Sequence, residues 1–300
     1  MQKQRSETAQ AWQGRSKGSK LGYKIFVSLL QTAGVGAGYL LLRFVALYYL
    51  FFSSSTKHIY QYFRKKIGYS RLKAICNTYR NYYIFGQTLI DKVVVMAGMK
   101  SPFTYEMEGE HYLEEIAATG RGGILISAHL GNWELAGHFF KRLNIRVNIV
   151  MYDREREQLK EYLDDVMQEK RMNIIAIKDD FSHIYEINNA LKGNELICLH
   201  GDRYVKGSKA ISANFLGEEA LFPMGPFILA ATFKVPVSYV FCFKESKKHY
   251  HLFASSPIIY DTPKQQAIRE AINDYINELN TKVKRYPLQW FNYYDFWNKS

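Results

Sequence analysis

The stretch Ile126–His138, ISAHLGNWELAGH, holds an imidazole and a carboxylate, His129 and Glu134, with four residues between them, directly after a short apolar run. A histidine at the end of a strand can act as a general base, and a nearby carboxylate can fix its tautomer and stabilise the imidazolium that forms. A loop and one helical turn make contact across this spacing feasible. A buried histidine bonded to a structural glutamate would show the same two residues, so the pair by itself leaves catalysis and packing open. His138 and His200 lack a recognisable partner spacing and read as structural or surface residues. Neither a Gly-x-Ser-x-Gly elbow nor a phosphate-binding glycine loop occurs, which argues against a serine hydrolase or a nucleotide kinase. Cys76, Cys198 and Cys242 are odd in number and widely spaced, so they read as reduced, buried, cytosolic thiols; neither a disulfide framework nor a metal site is expected.

The elements around this stretch set where it would sit. From about Gly122, apolar runs alternate with amphipathic segments: GILIS, VNIVMY, NIIAI, ELICL, VPVSYVFCF and HYHLFASSPII read as strands. Arg154–Arg171, Phe181–Leu191, Pro226–Phe233 and Lys264–Lys284 read as helices. Such alternation predicts an α/β fold with a mixed, partly parallel sheet flanked by helices. His129 then falls in the loop leaving a strand, where open α/β sheets bind their ligands.

Upstream the composition changes. Ile25–Phe52 carries a single charge, Arg43, and is long enough to cross a hydrocarbon core of about 30 Å, so an N-terminal membrane helix is expected. Basic residues flank it on both sides, and by the positive-inside rule both flanks look cytoplasmic; a simple span and a segment that dips in and returns are equally compatible with this. Gly34 and Gly38 have the small-xxx-small spacing that permits close helix contact, or they mark a kink. The predicted organisation is a basic polar tail over 1–24, a membrane segment over 25–52, and one domain over 53–300 whose first part, 53–100, is amphipathic, helical and suited to lying on a bilayer. The 300 residues carry a net charge of +12, which favours an anionic partner. A membrane segment accounts for this charge more economically than nucleic acid does.

AHLGNWE resembles the His-x-x-x-x-Asp/Glu motif of glycerolipid and lysophospholipid acyltransferases, in the Glu version of the lipid A biosynthesis (lauroyl and myristoyl) acyltransferases. ALKGNELICLHGDRY, FLGEEALFPMGPFILA and YPLQWFNYYDFW follow in family order, so the resemblance covers nearly the whole chain. It implies a glycerolipid acyltransferase-like fold and transfer of a fatty acyl chain to a hydroxyl of a membrane lipid at the bacterial inner membrane, with the catalytic domain facing the cytoplasm. The donor would be acyl carrier protein, with acyl-CoA the other thioester, and no cofactor is needed. His129 would be the general base supported by Glu134. Asn132, Asp202, Arg203, Phe222, Pro223 and Gly225 would lie at the substrates, with Arg203 steadying a phosphate or an oxyanion. Two departures concern the acceptor. The arginine expected between the first and third motifs has only Arg171 and Lys178 near it, and Tyr293 and Tyr294 stand where the family commonly has a basic pair. The carboxyl-terminal pattern is similar to a branch found beside aryl-polyene or flexirubin-type pigment synthesis, which leaves glycerophospholipid or pigment-lipid acylation as alternatives. A non-catalytic lipid-binding protein is the competing class.

Overall fold

A computed structural model describes residues 20–96, 99, 101–133, 135, 145–152, 172–178, 180–205 and 207–297. Glu134, Arg171 and the helix expected over Arg154–Arg171 lie outside the described residues, as does nearly all of the expected 1–24 tail.

The strands are β1 (Thr104–Glu108), β2 (Gly123–Ser127), β3 (Val147–Tyr152), β4 (Met172–Ile177), β5 (Leu196–His200), β6 (Ala210–Phe215), β7 (Glu218–Pro223), β8 (Val237–Lys244) and β9 (His249–Ala254). Seven of them form one sheet in the order β1-β9-β8-β2-β5-β3-β4, parallel throughout except between β8 and β9. This is the mixed, mostly parallel α/β sheet that the alternating pattern predicts. The central strands are largely apolar because both their faces are covered: every residue of β2 and of β8 is buried. Along β2 the side chains divide with period two. Ile124 and Ile126 enter a core shared with α5 (Ser182–Lys192), α6 (Gly225–Phe233) and α7 (Lys264–Arg285), while Leu125 enters a second core with Leu113 and Ile116 of α4 (Glu110–Ala118).

Four strands differ from the sequence reading. β1, TYEME, alternates charge with apolar residues because it is an edge strand paired only with β9, and its period is too short and polar to stand out. The hairpin β6–β7 turns through Leu216 and Gly217, both at positive φ, without the Asn-Gly or Asp-Gly signal that usually marks such a turn. The last predicted run ends early, at Ala254, and only Ile258 beyond it makes a bridge, to Val237. Of the cysteines, Cys242 is buried and Cys198 partly so, but Cys76 is exposed on a helix surface, which corrects the expectation for that residue.

The apolar N-terminal segment is α1 (Lys20–Phe52), and its part Leu30–Phe52 is long and apolar enough to cross a membrane by length and composition. Gly34 leaves helical geometry at φ 76°, and the chain bends there. A Cβ at Gly38 would lie 2.8 Å from Leu30 Cδ2, although residues eight apart in a straight helix are about 12 Å apart. Both sequence readings of the glycine pair therefore hold at once: Gly34 makes the kink, and Gly38 gives the close approach, with Ile90 of α3 (Arg71–Met96) on its other side. α2 (Thr56–Gln61) and a π-helical turn at Tyr62–Lys66 link α1 to α3.

Beneath this helix pair lies a buried ion pair. Asp91 of α3 accepts from Lys244 Nζ, Tyr39 OH and Tyr250 OH, and so ties α1, α3, β8 and β9 together. Burial opposes both charges, raising the Asp91 carboxyl and lowering the Lys244 ammonium, and their mutual attraction works against this. Breaking such a pair costs more than replacing it whole. Asp91→Ala should destabilise the protein by about 3–5 kcal/mol, and Asp91→Leu with Lys244→Met should recover most of the loss. Thermal denaturation of the single and double variants in detergent checks this.

Candidate active site

β2 and β5 are parallel neighbours, and their last paired residues are Ser127 and His200. Two residues beyond each, the chains present His129 and Asp202 to one another. His129 Nδ1 lies 2.9 Å from Asp202 Oδ1, and the His129 backbone N–H donates to Oδ2 at 3.0 Å. The Asp202 side chain is 2% exposed and that of His129 19%, so the carboxylate is sealed while the imidazole reaches the surface of the site. Burial opposes the charge on Asp202, but His129, then Arg203 and His200, outweigh it and hold the carboxyl below the usual carboxylate range. An ionised carboxylate only accepts, so Nδ1 carries the proton and the basic lone pair is on Nε2.

The loop that carries His129 is clamped from two sides. On one side the carboxyl-terminal segment runs antiparallel to it: Phe291 N–H donates to His129 O, Leu130 bridges Trp290, and Gly131 N–H donates to Gln289 O. The Gln289 side chain meanwhile brackets the backbone of Lys244 through both its oxygen and its nitrogen. On the other side Asn132 N–H donates to Cys242 O at 2.7 Å, and its side-chain amide donates to Thr88 O and Tyr250 OH. Gly131 must be glycine: its φ is +75°, and a Cβ would collide with the Cys242 carbonyl. Gly201, behind the pair, leaves room for the Tyr275 ring, whose hydroxyl donates to Ser127 O.

The other residues named from the sequence fall in different places. Arg203 is partly buried and donates to Phe291 O at 2.9 Å, so it holds the clamping segment beside the histidine. Asn132 is a buried fastener of the loop. Phe222 is wholly buried among Phe215, Tyr275 and Phe296; Pro223 ends β7; Gly225 is exposed at the start of α6. Tyr293 packs on Tyr82 and Phe85.

His200 is the residue that sequence reasoning set aside. Its ring centroid is 4.2 Å from that of His129, Trp133 meets its other side edge-on at 4.6 Å, and its Nε2 is buried without a hydrogen-bond partner among the described residues. Burial, and next the charge of His129, hold its imidazole well below the usual histidine range, with Asp202 pulling weakly the other way. Its place at the carboxyl end of a strand, where open α/β sheets bind their ligands, was the available signal. His129, His200 and Asp202 also bring possible metal-ligand atoms within 4.8 Å of one another. Asp202 and His129 hydrogen-bond to each other there, while His200 Nε2 has no partner among the described residues.

Two outcomes follow from this geometry. Gly131→Ala should cost at least about 2 kcal/mol and displace the His129 loop, seen as a lower melting temperature with loss of any His129-dependent activity. In ring ¹⁵N NMR the His200 nitrogens should stay in the neutral pattern as the pH falls through about 6.5, where an ordinary imidazole titrates.

Among curated proteins, the phosphatidylinositol mannoside acyltransferases of two Mycobacterium tuberculosis strains, H37Rv and CDC 1551, are each 24% identical to this chain over 123 residues. The match takes in 41% of this chain and 39% of each relative, so the chain spans well under half the length of the relatives it matches. A broader match runs over residues 63–299, from the π-helical turn through the sheet to the clamping segment, and it is to bacterial lipid A biosynthesis acyltransferases. The chain belongs to that family.

Proposed function

We propose that the protein transfers a fatty acyl chain from a thioester, carried by acyl carrier protein or coenzyme A, to a hydroxyl of a membrane lipid. The observation that carries this reading is the His129–Asp202 pair at the carboxyl ends of β2 and β5. With Nδ1–H held by Asp202, Nε2 takes the proton of the acceptor hydroxyl as its oxygen attacks the thioester carbonyl. The tetrahedral intermediate collapses by breaking the C–S bond, and the imidazolium returns the proton to the leaving thiolate. Asp202 is a positioning residue that stabilises the imidazolium between these steps. Glu134 is a second carboxylate assigned to support His129.

A glycolipid acceptor, of the lipid A precursor type or related to the mannosides of the mycobacterial relatives, fits the family and the apolar helix. The proposed place of action is the bacterial inner membrane with the sheet domain on the cytoplasmic side, where a basic protein meets an acidic carrier and an anionic surface. Tyr293 and Tyr294, aromatic where the family commonly offers a basic pair, favour a less phosphorylated acceptor as the second reading, such as a glycerophospholipid or a pigment lipid.

His129→Ala should lower turnover by about 10²- to 10⁴-fold with membrane content of the protein unchanged. Asp202→Asn, which presents an amide to Nδ1 and permits the wrong tautomer, should cost about 10²-fold or more. Mass-spectrometric lipid profiles of a host carrying wild-type protein or His129→Ala identify the acceptor as the lipid that lacks one acyl chain. Full turnover by purified His129→Ala would overturn the assignment. A smaller loss in Glu134→Ala than in Asp202→Asn places the orienting role on Asp202.

A further inference from the structure

The net charge of +12 is not spread over the molecule. Between Glu7 and Asp91 the sequence has no acidic residue and twelve Lys or Arg; the remaining 28 basic and 28 acidic residues cancel. The whole excess charge therefore belongs to the segment that contains α1, α2 and the greater part of α3.

The same segment carries most of the exposed large apolar side chains among the described residues. Leu40, Phe44, Tyr48 and Phe51 recur at helical spacing along α1, with Phe52 beside them, and Phe44, Phe51 and Phe52 are 68%, 71% and 74% exposed. Leu72, at the start of α3, is 78% exposed. The same segment holds the exposed basic residues Arg43, Lys57, Arg64, Lys65, Arg71 and Lys73. An exposed apolar stripe in a segment whose exposed charges are basic is the pattern of a helix lying in the interface of an anionic leaflet.

The opposite face of α1 excludes a simple span. After the bend at Gly34, α1 runs antiparallel along α3, with Gly38 on Ile90, Leu42 on Gly86, Tyr49 on Tyr82, and Tyr79 OH donating to Arg43 O. Tyr39 is held by the buried Asp91–Lys244 pair. If α1 crossed the hydrocarbon, this stretch of α3 would enter it too, with Arg80, Asn81, Gln87 and Asp91, at about 2.5–3.5 kcal/mol for each charge near the centre. α3 is moreover fixed to the sheet domain, through Asn81 to the carbonyls of Leu288 and Trp290 and through Thr88 to Asn132.

We infer that α1 does not span the bilayer but lies in the plane of one anionic leaflet, so that the sequences before and after it are on the same side. This deepens the membrane-lipid reading above and rests on it for the presence of a bilayer. It also gives both basic flanks the same address, as their charge requires.

The test uses the full-length protein in its host, with Cys76→Ser as background and single cysteines at Ser19→Cys or Ser54→Cys, before and after the apolar run. After fractionation, a membrane-impermeant maleimide is applied to intact spheroplasts and to lysed ones. Equal behaviour of the two sites, both protected until lysis, is expected. Labelling of one site alone in intact spheroplasts is the signature of a span and would overturn the inference while leaving membrane association intact. Recovery of the protein in the soluble fraction would instead overturn the membrane reading itself. In flotation with phosphatidylcholine vesicles containing phosphatidylglycerol, Phe51→Glu with Phe52→Glu should weaken binding about ten-fold or more, and unchanged binding would remove the stripe from the interface. None of these readouts involves turnover, so they stand apart from the acyl-transfer assignment.

Discussion

The register between β2 and β5 is the constraint on which the site depends. Ser127 pairs with His200, and because parallel strands are about 4.8 Å apart, residues two positions beyond that pair meet at hydrogen-bond distance. A slip by one residue would turn either side chain to the other face and separate the imidazole from its carboxylate. The register is in turn enforced by burial, since Ile124, Leu125 and Ile126 each have a core to enter and no exposed alternative.

A correct register places two side chains, but the loop between strand and helix could still move. Its backbone is therefore paired as though it were a short strand, with Phe291, Trp290 and Gln289 on one side and Cys242 on the other. Arg203 secures the outer of these partners through the Phe291 carbonyl, and the Asn132 N–H secures the inner one by donating to the Cys242 carbonyl. The polar groups near His129 are largely spent on holding backbone. That division of labour is what the proposed role of His129 as a base would require: few groups touch the reacting atoms, and many fix where they are.

The sequence made much of this legible, unevenly. Continuous apolar runs such as GILIS and ELICL reveal buried parallel strands, because burial on both faces leaves no polar residue to interrupt them. His129 was visible from its place after such a run. Its contact with Asp202 was harder: nothing local joins residue 129 to residue 202. Pairing between distant strands brings the two together, and register is a tertiary property that periodicity does not encode. His200 was missed for the same reason. The edge strand β1 and the hairpin β6–β7 escaped because their signals are weak, a charged alternation in one and a turn through Leu216 in the other.

The clamp formed by residues 289–291 has a consequence for how the molecule comes into being. His129 and Phe291 are joined by a backbone hydrogen bond across more than half of the chain, a contact of very high sequence separation whose loop must be closed before it stabilises anything. Until those late residues have been synthesised, a nascent chain can own the sheet, its register and the imidazole, yet lack the pairing that fixes the loop. The order of synthesis thus delays completion of the site: an unfinished polypeptide has the imidazole but not the backbone pairing that holds it in place.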